Sequence, residues 1–197
     1  MKLSTRFFPQ AAVSDAVASL VAFASIGFLA AIPMHAATVV LEAESAVEVE
    51  APMALATNSV AKPAADLGHT ASGGAWLTIP DGAGNPPKVE KGLARFEVDV
   101  PASGGYYVWA RVLWSGECGN SFTLQVDGGA PVLFGEDPTF GVWHWVRYPV
   151  SRMAKPIQLE AGRHTIVFRN REDGVAIDQF LLATDKRFTP VGIADAP

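Results

Sequence analysis

From residue 38 onward apolar and polar positions alternate with a period of two, the repeat of strands that bury one face. Over Leu93–Val100, Phe96, Val98 and Val100 fall on one side while Arg95, Glu97 and Asp99 fall on the other. Segment 121–127 repeats this with Phe122, Leu124 and Val126 inward, and Gly128-Gly129 supplies the turn that follows. Residues 106–114 form a nearly unbroken apolar and aromatic run instead, as expected of a central strand covered on both faces. Further strands are predicted at 38–44, 75–79, 143–150, 164–169 and 175–183, each bounded by Gly, Pro, Asn or Asp. Eight or nine short strands without amphipathic helical stretches predict an all-β sandwich or jelly roll. Segment 46–71 is Ala-rich and interrupted by Pro52 and Pro63, so it reads as strand, loop or both. The last ten residues, ending Ala-Asp-Ala-Pro, read as a frayed tail.

The N-terminus follows another rule. Lys2 and Arg6 precede an uncharged, apolar run from residue 16 to residue 32, after which Pro33 and the small pair Ala36-Ala37 follow. That order predicts a signal peptide over 1–37, a domain over 38–186 and a tail over 187–197. An uncleaved anchor is the alternative, since the run approaches the ~20 residues that span a bilayer. Cleavage leaves 13 basic and 19 acidic side chains, a balance of −6. No basic stripe exists to displace counterions from phosphates, so nucleic acid is not an expected partner, nor is a membrane after cleavage. Cys118 is the single cysteine, which rules out an intramolecular disulfide.

Several motifs in order carry a family likeness: Leu41-Glu42-Ala43-Glu44, Ser72-Gly73-Gly74-Ala75-Trp76, Gly105 through Val112, and Asn120-Ser121-Phe122 leading to Asp127-Gly128-Gly129. Trp143-His144-Trp145, Ala161-Gly162-Arg163-His164-Thr165 and Arg171 through Gln179 complete the series. Together they resemble the carbohydrate-binding modules of families 6 and 35, the galactose-binding-like jelly rolls. This resemblance implies two antiparallel sheets, a structural calcium, and a polysaccharide or oligosaccharide ligand bound at edge loops or on a concave face.

Glu42 and Glu44, at i and i+2, leave one face of a strand, and like charges that close call for a cation. The resemblance implies calcium held by Glu42, Glu44 and Asp178; calcium takes six to eight oxygen donors. Sugar binding needs flat apolar faces and a few polar groups. Trp143, just after Gly141, matches the family's stacking tryptophan, and Trp76 and Trp114 are further candidates near strand ends or turns. Trp109, inside the central run, reads as core. The family's stacking tyrosine and ligand asparagine are missing, with Ala176 at the latter position, so Asn120, Asn170, Glu172 and Asp173 are the polar candidates. Two other readings stand beside the binding module: a surface-matrix scaffold that has lost its sugar site, and a small polysaccharide-degrading enzyme using Glu172 and Asp173. Adjacent carboxylates rarely straddle a glycosidic bond at the ~5–9 Å that such chemistry needs. His69, His144 and His164 lack metal-site spacing.

Overall fold

A computed structural model describes residues 37–57, 70–150 and 155–195. The predicted signal peptide, apart from Ala37, lies outside the described residues, as do residues 58–69, 151–154 and 196–197. The described chain is β throughout, apart from 3-10 turns at Ala43–Ser45 and Ser72–Gly74. Among the described residues no helix is long and apolar enough to cross a membrane.

Among the described residues twelve strands form two sheets. The larger contains β1 (Thr38–Glu42), β3 (Ala54–Thr57), β4 (Ala75–Ile79), β6 (Gly104–Trp114), β9 (His144–Tyr148), β10 (Ile157–Leu159) and β12 (Val175–Ala183). The smaller has the order β2 (Glu48–Glu50), β5 (Leu93–Val100), β11 (Gly162–Arg169), β7 (Ser121–Val126) and β8 (Val132–Gly135). Every pairing is antiparallel. The sandwich of two antiparallel sheets is therefore as expected. Strand β6 is central as its apolar run predicts, lying between β12 on one side and β9 and β10 on the other.

Alternation fixes what fills the space between the sheets. Phe96, Val98 and Val100 of β5, Phe122 and Leu124 of β7, and Ile166 and Phe168 of β11 meet the even-numbered residues of β6, from Tyr106 to Trp114. At the centre Phe168 packs edge-on to Phe96, Phe122, Phe134 and Phe180 at centroid distances of 5.4–6.2 Å, the geometry aromatic quadrupoles favour. The odd-numbered residues Tyr107, Trp109, Arg111 and Leu113 consequently leave the other side of β6 and form the outer face of the larger sheet.

A bulge in β12 positions the polar part of that face. The register with β6 shifts between Ile177, opposite Val112, and Gln179, opposite Arg111. Ile177 and Phe180 both stay in the core, so Asp178 and Gln179 both turn away from it. Strands β8 and β10 are additional to those predicted, β2 and β3 fall in segment 46–71, which reads as strand, loop or both, and the predicted strand at 38–44 ends at Glu42, where the chain winds into the Ala43–Ser45 turn.

Residues 185–194 do not fray. Phe188 and Ala194 pack against Tyr107, Trp109, Leu181 and Ala183. Gln179 exchanges hydrogen bonds with the Ala194 backbone at 2.8 and 2.9 Å, Trp145 Nε1 donates to the Gly192 carbonyl at 2.8 Å, and Arg147 donates to the Lys186 carbonyl. The C-terminal segment is thus a strap across the outer face of the larger sheet.

Candidate functional site

Two indoles, one from β4 and one from the segment just before β9, meet at one end of this outer face. Trp76 leaves β4 after the Ser72–Gly74 turn, and Trp143 stands just before β9. Gly141, with φ of 73°, adopts the left-handed conformation that glycine tolerates, and donates its N–H to the Trp114 carbonyl, which sets the approach of Trp143. The two rings lie 6.3 Å apart and nearly perpendicular, at 71°. With Ala71, Thr78, Leu113 and Ala176 they line an open cleft of about 290 Å³. Trp143 is only 9% exposed and carries the Arg111 guanidinium over its ring at 5.5 Å, so it is a wall of the cleft. Half-buried Trp76 presents the more open face. Thr78 Oγ1 donates to the Val175 carbonyl at 2.9 Å and keeps an acceptor lone pair at the cleft lining.

Behind the cleft lies a polar corner. Asp178 is fully buried, accepts the Ser72 N–H at 2.7 Å through Oδ1, and is ion-paired through Oδ2 with buried Arg111. The same Arg111 donates to the Thr70 carbonyl at 3.0 Å. Burial pushes the Asp178 carboxyl up to about 6, against the pull of Arg111, and the charge of Glu42 adds to the rise. Glu42 accepts from Ser72 Oγ at 3.0 Å and from Gln179 Nε2 at 2.8 Å through Oε1, while its buried Oε2 has no hydrogen-bond partner among the described residues. Glu44 comes from the Ala43–Ser45 turn, and its Oε1 occupies the space where a Cβ on Gly73 would stand. All three predicted acids therefore border the Ser72–Gly74 turn. An orphaned carboxylate oxygen and a second carboxylate at one turn are donors of the kind a calcium ion favours. Asp178 already has a cationic partner, and among the described residues no three acidic, histidine or cysteine side chains stand in metal-binding geometry.

The remaining predicted site residues lie elsewhere. Trp114 is fully buried between Phe122, 5.5 Å away, and His144, 6.1 Å away, so its reading as a sugar platform is corrected: its even position in β6 sends it inward. Asn170, 5% exposed, donates through Nδ2 towards the carbonyls of Gly84, Val89 and Lys91 at 3.0–3.2 Å, tying down the 84–91 loop. Asp173 accepts the Gly84 N–H of that loop at 2.8 Å. Glu172 accepts from Asn120 N–H at 3.0 Å, Ser121 Oγ at 2.6 Å and Arg171 at 2.7 Å. Asn120 is thus held by its backbone, and its amide reaches the Asp137 carbonyl at 3.5 Å. These four side chains hold loops to one another instead of lining the cleft. Trp109, read from sequence as core, is buried at 8% exposure, and the core it joins is a second apolar cluster with Tyr107 and Leu181 on the outer side of the larger sheet, covered by the strap.

No protein-family model matches the chain. No curated protein matches it either. Solved structures do. A family 35 carbohydrate-binding module from Clostridium thermocellum aligns at 21% identity with a TM-score of 0.53, over 73% of this chain and 97% of that one. The fold is that of carbohydrate-binding modules. Module CBM6cm-2 of Cellvibrio mixtus lichenase 5A, solved with cellotriose, aligns at 20% identity and a TM-score of 0.50, over 76% of this chain and 97% of the module. The GH26-CBM35 β-(1,4)-mannanase of Podospora anserina aligns at 19% and 0.55 over 78% of this chain, which spans 29% of that enzyme. The modules are thus matched almost in full and the mannanase over less than a third of its length.

Proposed function

We propose that this chain is a secreted, non-catalytic module that binds a polysaccharide or oligosaccharide in the Trp76–Trp143 cleft. The observation that carries the reading is the pair of perpendicular indoles lining an open groove on the outer face of the larger sheet. Trp76 is the stacking surface, on which pyranose C–H groups lose water against an apolar face. Trp143 closes one side, and the Thr78 hydroxyl offers an acceptor to a sugar hydroxyl. Arg111 joins this wall to the polar corner, so the conformation of 70–74 and the ring of Trp143 depend on one guanidinium.

Calcium is the cation proposed for the corner. Glu42 and Glu44 would supply negative charge and turn carbonyls the neutral donors, with Asp178 shared between the ion and Arg111. It would fix the turn that precedes Trp76 without taking part in any reaction. Isothermal titration against a polysaccharide panel tests the reading: Trp76→Ala should weaken binding at least about tenfold, as for loss of one ring contact plus its buried area, with the circular dichroism spectrum intact. No heat from folded, calcium-loaded protein with any glycan would overturn it. The engagement of Asn120, Asn170, Glu172 and Asp173 within loops favours one competing reading, a scaffold without a sugar site. Under that reading Trp143→Ala lowers stability and no glycan binds.

A further inference from the structure

A larger hollow lies on the same outer face, beyond the strap. It encloses about 710 Å³ and is walled by Tyr107, Trp109 and Arg147 on one side and by Lys186 and Arg187 of the strap on the other, with Glu136 and Asp137 at its rim. Its charges are unequally engaged. Glu136 is paired with Arg171 at 3.0 Å, and Asp137 faces His144 Nε2 at 3.1 Å and accepts the Thr139 N–H at 2.8 Å. Both rim acids thus have other partners.

The cations do not. Among the described residues Lys186 and Arg147 form no ion pair, and Arg187, 86% exposed, reaches Asp185 only at 3.7 Å. The guanidinium of Arg147 lies over the rings of Tyr107 and Trp109 at 5.2 and 5.6 Å, held by carbonyls of Lys186 and Val150 at 3.2 and 3.4 Å. The rings and the two carbonyls hold the guanidinium in place, and two carbonyls cannot use all five of its N–H donors. A planar guanidinium with donors to spare suits the two oxygens of a carboxylate or sulfate. Three under-engaged cations in one hollow stand out on a chain of net charge −5.

We propose that this hollow is a second binding site, for an anionic sugar whose carboxylate or sulfate ester is gripped by Arg147, Lys186 and Arg187 while its ring lies against Trp145. The site is distinct from the Trp76–Trp143 cleft and deepens the carbohydrate reading by naming a charged substrate class. The test titrates an oligogalacturonate, a sulfated galactan oligosaccharide and a neutral gluco-oligosaccharide of matched length into the full chain, at low and high salt.

The expected result is that one acidic probe binds at least about tenfold more tightly than the neutral one, and which acid does so distinguishes uronate from sulfate. That advantage should shrink when salt screens the charges. K186Q/R187Q changes two exposed side chains and should erase the advantage with the fold intact, and Arg147→Lys should lose most of it because an ammonium cannot grip two oxygens in a plane. Trp76→Ala, which weakens neutral binding in the cleft, should leave the affinity of the acidic probe for the hollow unchanged. Acidic probes that bind no better than the neutral probe, or an advantage that survives K186Q/R187Q, would overturn the proposal. Neutral binding lost in Trp76→Ala alongside either result leaves the cleft reading standing, whereas acidic binding that survives with no neutral binding anywhere removes the cleft and keeps this site.

Discussion

Replacing Asn170 by Ala separates a loop staple from a sugar ligand, because the two roles predict opposite readouts. In the structure its amide nitrogen faces three carbonyls, of Gly84, Val89 and Lys91. An NH₂ group has two hydrogens, so two of these bonds are fully made at a time. Each buried acceptor left without a donor costs about 1–3 kcal/mol. Against this, Ala also removes the buried Oδ1, which has no partner among the described residues, and recovers about 1 kcal/mol of its desolvation. The net loss is about 1–5 kcal/mol, and for a chain of this size each kcal/mol lowers Tm by roughly 2–4 °C. Asn170→Asp should be worse than Ala, since it turns a carboxylate oxygen towards the carbonyls. Calorimetric melting gives the stability, and glycan titration well below the transition gives the affinity, which should not change. An unaltered Tm with lost glycan binding would refute the reasoning and return Asn170 to the sugar.

Other expectations follow from the same geometry. Glu172→Gln should cost about 1–2 kcal/mol by weakening charge-assisted bonds to Asn120, Ser121 and Arg171, readable by chemical denaturation, and leave glycan affinity unchanged. Adding calcium to chelator-treated protein at pH 7 should raise Tm, and Glu42→Gln together with Glu44→Gln should abolish that rise; a rise that persists would place the ion elsewhere. In chelated protein Asp178, raised by burial from an ordinary 3.8 to about 6, contributes no penalty below pH 3.8, and stability falls as pH climbs through 6, by about 3 kcal/mol in all. Asp178→Asn should flatten that part of a denaturation-versus-pH curve. Deleting residues 187–197 should uncover Trp109 and Trp145, shift tryptophan fluorescence to the red and cost about 2–3 kcal/mol for the lost burial of Phe188; unshifted fluorescence would mean that the strap does not cover these rings.

What could be read in the sequence was whatever a strand's own parity determines. The alternation of β5 and β7 and the dense run of β6 set the sandwich and its core, because burial on one face imprints period two. Strands β2, β3, β8 and β10 have three or four residues each and stand at sheet edges or margins, too short for a period to register. Trp114 looked available because Ser115-Gly116 follows it, yet it shares parity with Tyr106, Val108, Ala110 and Val112, and that shared parity was the stronger signal. The same count along β6 places Trp109 with Tyr107 and Arg111 on the outer face, so the hollow beside the strap had a trace in the sequence that composition obscured.

No local pattern could have revealed the bulge at Asp178. One extra residue in β12 sets Asp178 and Gln179 on the same side, which brings Asp178 to Arg111 of β6 and Gln179 to Glu42 of β1 and Ala194 of the strap. These partners are separated by 67, 137 and 15 positions. Pairing across such distances depends on register, which a sequence read segment by segment does not contain. A single irregularity therefore supports both halves of the outer face: through Arg111 it backs Trp143, and through Gln179 it anchors the strap that walls the cationic hollow. Loss of the Gln179 amide, as in Gln179→Leu, should consequently loosen the strap and weaken acidic-glycan binding while Trp76 keeps its cleft. A variant that instead loses both affinities together with its fold would mean that the bulge holds the sheet as a whole and not these two surfaces separately.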